Sequence, residues 1–410
     1  MYLVSILYGF IISYEKLIYF GLPIPYIIGV KHIIASLIIF IYCYNYKCFL
    51  NIRTIFAFLL LLFYCCYQLL ISDINTASFI ISFFFTFFPI IAIILGNSLI
   101  VKGKVIKKQI FYFVIISILL AIPAAIQGIL GYDLRLHTGL YREAAELGGV
   151  MVATILYSTY LYCEKYINRR AYLLLLLIPT YIILLQVLKK NILVALLFIL
   201  IYFYHERKKI KFNHKVYGLS LLITCLVFLA PNLRENISDN MDYFGNVGVA
   251  GHIRLAMYYT AFLINLDTLG FGSGIGTFGS LGSLIGEFSL QNGLIYKISD
   301  TYHEYGLTGI AGNSAEKLNS GNAGTLLDTF WPHIFAELGF FFAIIYIYII
   351  YRFLSFKQNN YIISFIVIAL YLDGFVIILP EAPTFIIYSL FFPGALLASD
   401  KNSYNNHNSG

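Results

Sequence analysis

A polar, glycine-rich segment at residues 232–328 carries side chains suited to binding an anion and accepting a proton. Arg254 offers a planar guanidinium that matches the oxygens of a phosphate group. Asp328, at the end of the segment, and His333, just beyond it, are candidate general bases. Together these residues predict a site that holds a phosphate group beside a proton acceptor.

Four more cations lie in two short connections between apolar runs. Arg135 and Arg142 belong to the connection 131–146, and Lys189 and Lys190 form a turn. Charged groups at membrane depth are costly and usually face a cavity or a partner, so we interpret all four as substrate-binding residues beside the arginine of the long segment. The alternative for the two lysines is that their side chains extend to lipid headgroups.

Three acidic or basic side chains are candidates for catalysis: Asp328, His333 and Glu143. Glu337 follows His333 by one helical turn, so its carboxylate could orient the imidazole. Each candidate also has a structural interpretation. Asp328 is well placed to cap the helix that follows, His333 could be an interfacial residue satisfied by water, and Glu143 could form an ion pair with Arg142.

The composition predicts an all-α, polytopic membrane protein. Hydrophobic residues make up 60% of the 410 residues and charged residues only 11%, whereas a soluble domain carries about 25% charged residues. The mean hydropathy is +0.82. Apolar runs of about 20 residues are long enough to cross a bilayer as helices.

Twelve apolar runs divide the chain, and we predict one transmembrane helix from each. They lie near residues 2–20, 26–46, 52–71, 77–100, 110–130, 147–163, 171–188, 191–204, 216–231, 330–351, 361–379 and 384–398. The predicted domains are a membrane bundle of about nine spans at 1–231, a large extracytoplasmic loop at 232–328, C-terminal spans at 329–400 and a disordered cytoplasmic tail at 401–410.

The positions of lysine and arginine predict the orientation of these spans. Basic residues cluster in every second connection, beginning with Lys47 and Arg53, and the positive-inside rule places such connections in the cytoplasm. Both termini are then cytoplasmic, and the segment 232–328 lies outside. Lys16 and Lys31 fall within the first two spans. The predicted location is the bacterial cytoplasmic (inner) membrane.

Two features of the outer segment predict its local structure. Residues 254–265 have the apolar spacing of an amphipathic helix lying over the bundle. The glycine run 270–276 lacks the strand–helix context of a nucleotide site, so we interpret it as a tight turn that lets chain or ligand approach closely.

Four motifs, in this order, resemble the superfamily of bacterial O-antigen polymerases and O-antigen ligases. The first motif, residues 135–148, is similar to R-x-x-G-L-F followed by E-P-x-x-x-G, and the second, residues 189–191, stands where the family has Ser-Arg-Ser/Thr. The third combines residues 251–254 and 269–274, which are similar to the family's arginine helix and G-x-G-x-G turn. The fourth, residues 337–339, matches E-L-G. The chain departs from the pattern at Asp328, in the column that commonly holds histidine. Because ligases carry that histidine more reliably, the departure favours a polymerase.

The resemblance implies a reaction on the outer face of the membrane. A polyprenyl-diphosphate-linked oligosaccharide would donate its glycan to a hydroxyl of a second lipid-linked repeat unit, lengthening an O-antigen or capsule polysaccharide. Arg254, Arg135 and Lys190 would hold the leaving diphosphate. Besides this substrate and membrane lipid, a chain-length regulator and a flippase are expected partners; no cofactor, metal or nucleic acid is expected. The alternatives are a ligase-type glycan transferase and a transporter or flippase of lipid-linked oligosaccharide.

Overall fold

The computed structural model of the chain is built from helices. The structure describes residues 2–19, 30–48, 52–71, 76–134, 137–141, 144–186, 258, 261–262, 264–275, 330–354 and 383–407. Over these ranges no strand is present, and a single isolated bridge joins Cys48 to Leu99. The predicted all-α class is therefore confirmed for the described residues.

In the described residues up to 186, seven helices are present, and each coincides with a predicted span. They are α1 (Tyr2–Tyr19), α2 (Val30–Asn45), α3 (Ile52–Ile71), α4 (Thr76–Ser98), α5 (Gly103–Ile129), α6 (Ala144–Cys163) and α7 (Arg169–Gln186). The largest difference is at α5, which begins at Gly103 and not at residue 110. Its first turns carry lysines that lower the local hydropathy without interrupting the helix.

Two further helices follow in the C-terminal part. Helix α8 spans Phe330–Leu354. Helix α9 consists of Pro383–Phe385, a π-helical stretch Ile386–Phe391 and the α-helix Phe392–His407. The last of these ends at His407, within the predicted tail 401–410.

Several helices have the length and composition of membrane spans. Within the described ranges, Gly103–Ile129, Arg169–Gln186 and Trp331–Ile350 are long and apolar enough to cross a membrane. Large apolar side chains such as Phe63 and Leu70 are 75% and 85% exposed, as expected of helices that face lipid. The count of twelve spans stays a prediction, since 191–204, 216–231 and 361–379 lie outside the described residues.

One end of the bundle gathers the first three basic connections. The backbone amide of Ile100, after α4, donates to the carbonyl of Lys47, after α2, over 2.8 Å. At the start of α5, the Lys107 ammonium lies 2.8 Å from the carboxylate of Glu164, which follows α6. The connections α2–α3, α4–α5 and α6–α7 therefore share one end, as the alternation of basic residues predicts.

Helix α9 packs closely along α4. At Gly394 a Cβ atom would lie only 2.9 Å from the Ile93 carbonyl oxygen, so the two backbones approach with no side chain between them. Small residues at such crossings are typical of helices packed within membranes. This contact fixes α9 in the bundle and with it Thr384, at the start of α9.

Candidate functional site

The structure describes one of the eight residues predicted for the site. His333 lies near the start of α8. The other seven lie outside the described residues: Asp328, Glu143, Arg135, Arg142, Lys189, Lys190 and Arg254. We therefore build the site outward from His333 and from the described residues next to the others in the chain.

Helix α8 consists of two half-helices that meet at a corner. Gly339 has φ 74° and ψ 168°, a backbone conformation that is essentially restricted to glycine. A continuous helix would separate residues 331 and 346 by about 22 Å along its axis. The ring centroids of Trp331 and Tyr346 are 6.4 Å apart instead. The predicted span 330–351 is thus helical but bent. The first half-helix (330–338) folds towards the second (340–354).

Helical hydrogen bonding is interrupted at the corner, and the last four carbonyls of the first half-helix accept from donors outside α8. The four bonds run from Asn265 Nδ2 to the Phe335 oxygen (2.8 Å), from Ser273 N to Ala336 (2.8 Å), from Gly274 N to Glu337 (3.1 Å) and from Tyr64 Oη to Leu338 (3.2 Å). Lipid offers no hydrogen-bonding partner, so irregular backbone at membrane depth has to be satisfied by protein. Three of the four donors belong to one segment, residues 264–275.

Asn265 bridges the two half-helices. Its side-chain oxygen accepts a 2.8 Å hydrogen bond from the backbone amide of Phe340, the first residue after the corner. Its side-chain nitrogen donates to Phe335 before the corner and, over 2.8 Å, to the carbonyl of Ala261 in its own segment. Residues 264–267 are helical, in agreement with the predicted amphipathic helix. One side chain therefore connects that helix to both halves of α8.

The glycine turn fits against the corner because Gly272 has no side chain. A Cβ atom there would lie 2.6 Å from the Glu337 oxygen and 2.8 Å from the Ala336 oxygen, and φ is +76°. The single proton of the Tyr64 hydroxyl is shared between the Leu338 carbonyl and the carbonyl of Phe271 within the turn. The prediction of a tight turn that allows close approach is confirmed. What approaches is the chain itself, at the motif Glu-Leu-Gly of 337–339.

The first half-helix carries two ionisable side chains into the protein interior. His333 is 1% exposed and Glu337 is not exposed at all. Both side chains are therefore enclosed by protein, one helical turn apart.

A second charged cluster lies among the ends of four helices. The Lys31 ammonium of α2 lies 3.4 Å from a carboxylate oxygen of Glu15 in α1 and 3.8 Å from one of Glu146 in α6. The hydroxyl of Thr384 in α9 donates to Glu146 over 3.1 Å. Lys31 and Glu146 are buried, at 9% and 5% exposure. This cluster lies at the opposite end of α6 from the basic connections.

Sequence reasoning placed Lys31 within a span but did not assign it or Glu15 to a site. The available signal was the high cost of a charged side chain inside an apolar helix, which points to a partner. The partner could not be identified from the sequence, because Lys31 and Glu146 are more than a hundred positions apart. In the structure, Glu146 lies beside Lys31.

The connection that carries Arg135 and Arg142 is anchored in the bundle between them. The phenol of Tyr141 is buried and donates a 2.8 Å hydrogen bond to the carbonyl of Ser117 in α5. Burial raises the pKa of Tyr141 well above its ordinary value, so the hydroxyl keeps the proton that it donates. The Gly139 amide donates to the side-chain amide oxygen of Gln127, also in α5. The described part of this connection, residues 137–141, is therefore held against α5.

No metal site is formed by the described residues, among which no three His, Cys, Asp or Glu side chains gather to hold an ion. The chain matches no model of a known protein family, no curated protein and no solved structure. Its function must therefore be argued from the two sites themselves, the corner at Gly339 and the ion cluster around Lys31.

Proposed function

We propose that this protein is a polysaccharide repeat-unit polymerase of the bacterial cytoplasmic membrane. It has about twelve spans, cytoplasmic termini and a large outer loop at 232–328. It transfers glycan from polyprenyl diphosphate to a lipid-linked repeat unit on the outer face, building O-antigen or capsule. The order of motifs in the sequence supports this class of enzyme, and the described helices support a membrane protein.

The observation that carries the proposal is the hydrogen-bonded contact between segment 264–275 and the corner of α8. Segment 264–275 begins ten residues after Arg254 in the chain, and it is docked on the half-helix that begins two residues after Asp328. The nearness of both residues in the sequence to this contact supports a phosphate site beside a proton acceptor.

Each predicted residue has a role in the proposed reaction. The cations Arg135, Arg142, Lys189, Lys190 and Arg254 bind the diphosphate, and their charge stabilises it as it leaves. The bond between the anomeric carbon and the diphosphate oxygen breaks, and the acceptor oxygen bonds to that carbon. The acceptor proton passes to a carboxylate or imidazole, and polyprenyl diphosphate departs with the bonding electrons.

We assign proton acceptance to Asp328 rather than His333. A general base must come within hydrogen-bonding distance of the hydroxyl that it deprotonates. His333 is 1% exposed, whereas Asp328 precedes the first half-helix by two residues. His333 then supports the site from within the protein, and Glu143 serves as a second carboxylate beside Arg142.

A transporter of lipid-linked oligosaccharide is the second candidate. Broken helices and buried ionisable residues are typical of transport sites in membranes. The corner at Gly339 and the Lys31–Glu146 pair are both features of that kind. A ligase-type transferase, which would pass the glycan to a different acceptor, shares the proposed donor site.

One reconstitution separates these functions. Purified protein in liposomes receives a single species of lipid-linked repeat unit, and both chain length and movement between leaflets are measured. A polymerase elongates the glycan with no other acceptor, a ligase does not, and a transporter moves the substrate without elongating it. Arg254→Ala should reduce elongation strongly. Arg170→Ala, which removes an exposed arginine at the basic end, should leave it unchanged.

A further inference from the structure

Asn265 lies where segment 264–275 meets both halves of α8. The described residues show three hydrogen bonds at its side chain, to Ala261, Phe335 and Phe340, each 2.8 Å long. A fourth bond, 2.7 Å long, runs from the amide of Gly270 to the backbone carbonyl of Asn265. Asn265 is 2% exposed. To bond both sides of the corner, a side chain must be long enough to reach them and must carry a hydrogen-bond donor as well as an acceptor.

The first half-helix depends on this contact for its position. It has about nine residues, and isolated helices shorter than about 12 residues are marginal in water. Three of its four terminal carbonyls are bound by segment 264–275, through Asn265, Ser273 and Gly274. Its orientation is therefore set largely by a segment that lies more than sixty positions earlier in the chain.

We propose that Asn265 is a positioning residue for glycan transfer. It holds the first half-helix, which begins two residues after Asp328 in the chain, against segment 264–275, which begins ten residues after Arg254. Asn265 itself does not touch the substrate. This role rests on the proposed polymerase function. In that function, Asn265 aligns the diphosphate-binding arginine with the proton acceptor.

The expected consequence of losing this register is a slower chemical step with little change in binding. A displacement of about 1 Å between reacting groups can reduce a rate by about a hundredfold. The diphosphate is bound by cations on several connections, so its affinity should change little when one segment shifts. The positioning role therefore predicts that kcat falls while KM for the lipid-linked donor stays nearly constant.

The test compares two asparagine substitutions with similar local chemistry. Asn45, on α2, also donates to the carbonyl four residues earlier, Ile41, over 2.7 Å, but its exposed side chain bridges no corner. Asn265→Leu and Asn45→Leu are purified, and kcat and KM are measured per folded molecule on lipid-linked repeat units in liposomes. Asn265→Asp, which keeps an acceptor for Phe340, covers the case in which the leucine variant does not fold.

We expect Asn265→Leu to lower kcat by about 10- to 100-fold with KM within about threefold of the wild type. Asn265→Asp should show an intermediate loss, and Asn45→Leu should retain wild-type kcat. The inference is overturned if kcat per folded molecule is unchanged in both Asn265 variants, or if KM alone rises. A wild-type protein that makes no chain refutes the polymerase proposal and this inference with it, an outcome distinct from the first two.

Tryptophan fluorescence gives a readout independent of activity. Trp331 is the only tryptophan of the chain and lies in the first half-helix at 5% exposure. If Asn265 holds this half-helix, iodide quenching of Trp331 rises in the two Asn265 variants and stays at the wild-type level in Asn45→Leu. Equal quenching in all four proteins contradicts the inference.

Discussion

Substituting Gly272 by alanine should separate the glycine turn from the corner of α8. The added methyl would meet two backbone oxygens, those of Glu337 at 2.6 Å and Ala336 at 2.8 Å, which no side-chain rotation can move away. Overpacking of this kind costs about 1–3 kcal/mol. The positive φ of 76° adds about 1–2 kcal/mol for an L-residue. We expect a total loss of about 2–5 kcal/mol in the free energy of unfolding.

Gly131 provides the matched control for this prediction. Its φ is +84°, and a Cβ atom there would have no neighbour within 4 Å. Gly131→Ala should therefore show only the backbone contribution, about 1–2 kcal/mol. Both variants restrict the unfolded chain to the same degree, so that effect cancels in the comparison.

Denaturant titration in detergent measures both variants. Trp331 emission reports on the first half-helix, and circular dichroism reports on the whole bundle. We expect Gly272→Ala to be less stable than Gly131→Ala by about 1–3 kcal/mol, with the earliest change at Trp331. If the two variants lose the same stability, the close docking of the turn on the corner is wrong.

Two further substitutions test the other anchors of the site. Lys31→Met leaves Glu146 buried without its ammonium partner and should destabilise the protein by about 3–5 kcal/mol in denaturant titration. Lys107→Met removes a more exposed ion pair and should cost less than about 1 kcal/mol; equal losses would contradict a buried network at Lys31. Tyr141→Phe removes the hydrogen bond from the phenol to the Ser117 carbonyl of α5 and should cost about 0.5–1.5 kcal/mol in the same assay. A stability unchanged from the wild type would show that the phenol does not anchor the connection.

The sequence was sufficient to predict where most helices lie. The predicted span 52–71 has the same bounds as α3, because polar residues precede and follow this mostly apolar run. The corner in α8 was not predicted, since Phe335, Leu338 and Phe340 keep the hydropathy high on both sides of Gly339. Hydropathy measures how apolar a segment is and carries no information about its direction.

The partners of the site residues depend on contacts between distant parts of the chain. The glycine turn was predicted to allow close approach, but its target, 336–339, is set by tertiary packing. Asn265 was assigned only to an amphipathic helix, because a polar residue on such a helix normally faces water. Its bridging role depends on hydrogen bonds to both half-helices, which are brought to Asn265 by tertiary packing.

The central claim, that the protein joins lipid-linked repeat units, is tested most directly by product analysis in liposomes. Wild-type protein is incubated with one pure polyprenyl-diphosphate-linked repeat unit, and the lipid fraction is examined by mass spectrometry. We expect carrier-linked dimers and longer chains, with one polyprenyl diphosphate released for each bond formed. Arg254→Ala and Asp328→Asn should form them far more slowly. Substrate that crosses the bilayer at its original mass, with no polyprenyl diphosphate released, would refute the polymerase function.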